Sequence, residues 1–311
     1  MQLTKTILKR ILLSGFLLGT VLMFTPSGVQ ADRQTVKLAY VEWSEAIATT
    51  HMARAVLQEK LGYHCEMIPM KADKMWQAVA DGEVDGMLAA WMPDLHAHYN
   101  EKYKDRVDNL GPNLVGTRTG LVVPKVTLGR QTAATGMRNK PYITAESIPD
   151  LKRHADKFHF TIEGIDAEAG VMKKTERALQ EYGLYNYNLV TGSEKIMTKA
   201  LADAIKNQQW IVVTGWIPHW MFARWELAFL DDPKNVFGKE TGRIDTIVRQ
   251  GLDREMPQVY AFLDNFQWSP EELGQLMIWI HDDKGTYPYE KVLRFMRTHP
   301  EQVENWLSGV E

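Results

Sequence analysis

Short apolar runs ending in small residues alternate with amphipathic stretches along most of this chain, and that rhythm constrains the fold more than any single motif. Residues 35–41 read as a strand and 47–61 as a helix closed by Gly62. Residues 64–69 form the next strand, 72–81 the next helix and 86–90 a third strand. Residues 120–124 make a strand stopped by Pro124, and a polar, irregular stretch follows as far as Pro149. A second series has strands at 160–165, 187–191 and 210–214, with helices at 170–182 and 193–207 between them. Such alternation predicts an α/β fold of mostly parallel sheets wrapped by helices. The second series leaves through Asp231-Asp232-Pro233, and residues 244–249 return to the first as a strand. Two crossings give a discontinuous first domain, 32–124 with 234–311, around a second domain, 125–233. A ligand cleft is expected between them, with the hinge near residues 123–126 and 230–234.

The N-terminus has the form of an export signal. Lys5, Lys9 and Arg10 precede an apolar run, and Val29-Gln30-Ala31 is a small-residue cleavage site. Residues 1–31 are therefore expected to be a signal peptide, with a mature chain that starts near Asp32 and resides in the periplasm. The apolar run is too short and wrongly flanked for a membrane anchor. Cys65 is the single cysteine, so no internal disulfide forms, and its alternating neighbours suggest a buried strand position. The net charge of −3, with no basic block, argues against nucleic acid as a partner.

Three tryptophans stand apart from the other seven of the chain's 10. Trp43, Trp91 and Trp216 lie in LAYVEWSEAIATTH, VDGMLAAWMPDLHAHY and QWIVVTGWIPHWMF, each after a strand-like run and before helix-starting chemistry. Open α/β sheets hold their ligands at such strand ends. Indole faces carry a negative quadrupole potential, so rings brought together from distant segments suit a quaternary ammonium ion. The competing reading of any tryptophan is core filler. Trp268, Trp279 and Trp306, in helix-like C-terminal stretches, are assigned to the core. HWMFARWELAF, at 219–229, has the period of an aromatic helix packed on the sheet, with His219 a possible cleft residue.

The segment IEGIDAEAGVM supplies a site of opposite sign. A strand ends near Ile165, Asp166 is placed to cap, and a helix starts at Gly170. The free amides of Gly170 and Val171, backed by the helix dipole, suit a carboxylate, and glycine there lets a ligand come close. A cation cage and an anion site facing one cleft describe a zwitterion. His96 and His98 with Asp94 lack the spacing of a metal site, and no nucleophile elbow or phosphate loop accompanies the acidic residues.

LAYVEWSEAIAT, MWQAVADGEVDGMLAAWMPDLHAHYNEKYKD, GLVVPK, GIDAEAGVM, VVTGWIPHWMF and FLDNFQW together resemble the glycine betaine binding proteins of ABC importers. The resemblance implies a two-domain, periplasmic binding protein-like fold without a cofactor, a membrane permease as partner, and a monomer that is not an enzyme. It implies that Trp43, Trp91 and Trp216 hold a trimethylammonium head. By the same resemblance the amides of Gly170 and Val171 hold the carboxylate, and His96 adds a polar contact to it. Where relatives often have GIDPGSGIM, this chain has Ala167-Glu168-Ala169 in place of Pro-Gly-Ser. Glu168 either repels a carboxylate, which would favour choline or carnitine, or serves as an ordinary dipole-favoured first-turn acid. A hydrolase of betaine or choline esters is the enzymatic alternative.

Overall fold

The computed structural model describes residues 34–125, 141–238 and 242–310. The expected signal peptide, 1–31, and Val126 of the expected hinge lie outside them. The first stretch runs through β1 (Thr35–Tyr40), α1 (Ser44–Glu59), β2 (His64–Pro69), α2 (Ala72–Ala80), β3 (Gly86–Met92), α3 (Ala97–Tyr103) and β4 (Val107–Pro124). The second comprises α4 (Asp150–Arg153), β5 (Thr161–Glu163), α5 (Gly170–Glu181), β6 (Asn188–Val190), α6 (Glu194–Asn207), β7 (Val213–Ile217), α7 (Met221–Arg224) and β8 (Leu227–Phe229). The last comprises β9 (Gly242–Arg249), α8 (Leu252–Glu255), α9 (Pro257–Asn265), α10 (Pro270–Asp282), α11 (Pro288–Thr298) and α12 (Pro300–Trp306).

Among the described residues nine strands join one curled sheet in the order β2-β1-β3-β9-β4-β7-β5-β6, with β8 on β4. Pairing is parallel in the outer parts, β1 with β2 and β3, and β5 with β6 and β7. The centre, where β9 and β4 run, is antiparallel. The α/β alternation read in the sequence thus builds a mixed sheet with two parallel wings. Residues 244–249 return to the first wing as expected, between β3 and β4.

Strand β4 holds the wings together. Its residues from Val107 to Thr117 pair with β9, and those from Arg118 to Val122 pair with β7. The exchange of partners therefore falls between Thr117 and Arg118, upstream of the 123–126 segment expected to act as hinge. A register shift between Val115 and Thr117 marks the spot, and Gly116 takes φ +87 there, the left-handed region that favours glycine. Sequence reading found only residues 120–124 of this strand. The earlier part carries Gly111, Pro112, Asn113 and Gly116, all strand breakers. They are tolerated because this part of β4 pairs with β9 alone and its ladder is interrupted by register shifts at Asn109/Gly111, Pro112/Leu114 and Val115/Thr117.

The aromatic stretch at 219–229 corrects another expectation. Only Met221–Arg224 is helical, and Leu227–Phe229 is extended and pairs with β4. Trp268 likewise precedes α10 instead of lying within a helix. Its assignment to the core holds, since Trp268, Phe266, Phe295 and Trp306 pack ring on ring. Cys65 is buried on β2, and burial pushes its thiol up to about 12, so it behaves as a small hydrophobe. Ser269 and Glu272 close a reciprocal capping box at the start of α10.

Trp306 is fully buried and donates its indole N–H to Gln267 O at 2.7 Å. Trp306→Ala should lower unfolding stability by roughly 3–5 kcal/mol in urea denaturation while ligand affinity stays unchanged, because the ring is remote from the cavity described next.

Candidate functional site

One small cavity lies where the two wings meet, at the ends of β1, β3 and β7. Trp43, Trp91, Trp216, His96, Gly170 and Val171 all line it, together with Glu45, Leu95, Thr119, Ile165 and Ala169. Every site residue read from the sequence is therefore brought to one place. A larger groove runs alongside and shares Trp91, Leu95 and Thr119, but its remaining walls are largely polar and charged. The smaller cavity combines aromatic faces with a few convergent polar groups, which is the usual make-up of a small-molecule site.

The three indoles reach the cavity by the same local device. Trp43 follows β1 in extended conformation and its carbonyl accepts the first bond of α1, while Trp91 and Trp216 lie near the ends of β3 and β7. They are only 6%, 3% and 3% exposed. A buried indole N–H needs an acceptor, and here each one finds a carboxylate. Trp43 Nε1 donates to Asp166 Oδ2 at 3.0 Å. Trp91 Nε1 donates to Glu45 Oε1 at 3.3 Å, and Trp216 Nε1 to Glu45 Oε2 at 3.1 Å.

Sequence reading missed Glu45. An acid in the first turn of a helix is ordinary dipole chemistry, so its position gives no signal. In the fold it is buried and bridges two strand ends that are 125 residues apart, Trp91 to Trp216. Burial, reinforced by the nearby charge of Glu194, pushes its carboxyl up to about 8 against the pull of the two indole bonds.

His96 is fully buried. Its Nδ1 accepts from the Trp76 indole and from the Trp91 backbone amide, each at 3.2 Å, so the proton sits on Nε2. Burial holds the ring far below the ordinary histidine range, at about 3, and it is neutral at physiological pH. Its Nε2 has no hydrogen-bond partner among the described residues. His98, two residues on, faces Lys173 Nζ at 2.9 Å on the exposed side, so the two imidazoles do not converge. Among the described residues no group of three acids, histidines or cysteines could hold a metal ion.

The start of α5 falls at Gly170, as expected, and its first amides have no carbonyl within the helix to bond. Two details of that reading change. Asp166 does not cap α5, where Ala169 stands at the cap position without a side-chain bond; it holds Trp43 instead. A side chain at 170 would meet Leu95, since a Cβ there lies 2.5 Å from Leu95 Cβ, so glycine is required by packing across the seam. Glu168 does not line the cavity. It takes Lys71 Nζ at 3.1 Å on the partly exposed rim, and that bond holds its carboxyl below the usual range.

Behind Trp216, His219 lies edge-on to the indole at 4.7 Å and outside the cavity lining. Its Nε2 is 3.0 Å from Glu194 Oε1. Glu194 also accepts the backbone N–H of Ser44 at 2.8 Å, binds the Ser44 hydroxyl and accepts from Trp220. Burial opposes its charge, yet His219 and the Ser44 bonds outweigh that and hold the carboxyl low.

A family model described as the substrate binding domain of an ABC-type glycine betaine transport system matches residues 34–298. The chain belongs to this family. It is 42% identical over 181 residues, 58% of the chain, to the glycine betaine/carnitine transport binding protein GbuC of Listeria monocytogenes, and it spans 57% of that relative's length. The structure of lactococcal OpuAC, closed and complexed with glycine betaine, matches with TM-score 0.78 and 36% identity, over 88% of this chain and 99% of that one. An ABC-transporter choline binding protein in complex with choline matches with TM-score 0.77 and 26% identity, over 89% of this chain and 92% of that one. These relatives are binding proteins, not enzymes, and the two-domain α/β fold read from the sequence is theirs.

Gly170→Ala should leave the melting temperature nearly unchanged but weaken ligand binding by roughly tenfold or more, because the added methyl forces Leu95 and α5 apart and holds the seam ajar. Calorimetric titration alongside thermal melting checks this.

Proposed function

We propose that the chain is the periplasmic capture component of an ABC importer for glycine betaine or a close trimethylammonium zwitterion. The observation that carries the reading is the convergence of Trp43, Trp91, Trp216, His96, Gly170 and Val171 on one cavity. The rings offer a cation their negative faces, and the amides with the Nε2–H of His96 offer a carboxylate three donors. A closed relative complexed with glycine betaine supports the same assignment. In this reading residues 1–31 direct export and are removed, and a monomer delivers its ligand to a membrane permease. No helix among the described residues is long and apolar enough to cross a membrane. Two lobes are read as meeting where β4 changes partners.

Choline is the second reading, favoured by the choline-binding neighbour. Glu168 does not favour it, because Lys71 neutralises that acid outside the cavity. Charge-assisted bonds to backbone amides contribute about 1.5–3 kcal/mol each, so glycine betaine should bind more tightly than choline in a calorimetric panel that also includes carnitine and proline betaine. Choline binding more tightly would overturn the carboxylate assignment.

Trp91→Ala and Trp216→Ala should each weaken glycine betaine binding by roughly tenfold or more, and the Phe variants by less, since a desolvated cation–π contact contributes about 2 kcal/mol. Small-angle scattering should show a smaller radius of gyration on saturation. Tight binding with an unchanged profile would mean that the cleft is preformed.

A further inference from the structure

We propose that Glu45 is the buried counter-ion of the aromatic cage: a carboxylate that fixes Trp91 and Trp216 through their indole N–H groups, charges when a quaternary ammonium ion enters, and so selects cations over neutral isosteres. The inference rests on the cation-binding reading above.

The geometry gives Glu45 two functions that a neutral residue cannot combine. Its two oxygens each take one indole, at 3.3 and 3.1 Å, and the side chain itself forms part of the cavity wall. One acceptor pair thus sets the angle between two rings drawn from different wings of the sheet. An anion on an indole N–H also pushes electron density into the ring, which deepens the negative potential that a cation meets on its face. A carbonyl would orient one ring but supply no charge. Glutamine would set its amide N–H₂ against one of the indole N–H groups.

The burial that makes this carboxylate useful also makes its charge expensive in the absence of a cation. Its carboxyl is held up at about 8, chiefly by desolvation and then by Glu194. A permanent cation arriving in the cage stabilises the ionised form and lowers that value, so binding expels a proton wherever the unliganded acid is protonated. The sign follows directly. Affinity is highest above about pH 8, where no proton has to leave, and it falls as pH drops, by up to about tenfold per unit.

The other titratable groups around Glu45 are Glu194 at the start of α6, His219 behind Trp216, His96 on the opposite wall and Asp166 beneath Trp43. His96 is held neutral at about 3 and does not titrate in this window. Glu194 is coupled to Glu45, so a Glu194→Gln control reports its share of the pH dependence.

Glutamine removes the charge and one indole acceptor, so Glu45→Gln should bind betaine no more tightly at any pH than the wild type does in acid. The test titrates glycine betaine and its neutral-headed isostere tert-butylacetate into the full mature chain, wild type and Glu45→Gln, between about pH 6 and pH 8.5, in buffers of differing ionisation enthalpy. The wild type should release a proton per betaine near neutrality, gain affinity as pH rises and discriminate strongly against tert-butylacetate. Glu45→Gln should release none, bind betaine about tenfold more weakly at the alkaline end, and lose about tenfold of the discrimination. Proton release is read on the wild type alone, so a poorly folded variant would not block the test. Tight betaine binding with no proton release and no pH dependence in the wild type would overturn the proposal. So would a Glu45→Gln protein that keeps wild-type affinity and selectivity. A wild type that binds neither betaine, choline nor carnitine would instead overturn the functional reading, and this inference with it.

Discussion

Three indole N–H groups withdrawn from water must each meet an acceptor, and the site is organised around that demand. A hydrogen bond left unmade in a buried place costs roughly 1–3 kcal/mol, more than an ordinary one returns, so the partners are not optional. Two acids, Glu45 and Asp166, satisfy all three groups. Each acid sits at the start of a different helix-bearing segment, and each reaches an indole on the other side of the seam. Ring orientation and closure of the two wings are thereby one event. In the proposed cage a ligand would meet ring faces whose edges are already committed.

Many of the ties across the seam are polar, among them Trp43 to Asp166, Glu45 to Trp216, Ser44 to Glu194, Lys71 to Glu168 and Lys173 to His98, beside the stacked rings of Trp220 and His281. Water can replace each of these polar ties when the wings separate, so each contributes only about 0.5–1.5 kcal/mol net, and the exposed Lys71 pair less. In the proposed capture component, ties of this kind would let a ligand shift the balance between open and closed forms with modest differential affinity.

Much of this was legible in the sequence because the relevant signals are periodic or local. The strand–helix rhythm exposed most elements, and the contexts of Trp43, Trp91, Trp216 and Gly170 pointed to positions that now share one cavity. What escaped depends on partners far along the chain. The polar half of β4 looks like loop because its breakers are tolerated only in a ladder with β9 that register shifts interrupt. Leu227–Phe229 looked helical because its contact with β4 is invisible locally. Glu45 gave no local signal, since an acid in a first helical turn is ordinary, and nothing short of the fold reveals that its carboxyl faces inward. Gly170 was singled out for the room it leaves a ligand, and the fold adds a second demand for glycine there, its packing on Leu95, that no local signal shows.

The place of β9 has a consequence for how the chain is made. This strand lies between β3 and β4 yet is drawn from residues 242–249, after the whole second wing. Until those residues emerge, β3 and β4 have no strand to bridge them, and the first wing exposes two unsatisfied sheet edges with their apolar faces. Native pairing in that wing is therefore of high sequence separation, which slows folding. A nascent chain of this topology stays incomplete, extended and dependent on protection from aggregation until it is nearly full length. That order of events makes the last quarter of the sequence the step that commits the molecule to its native sheet.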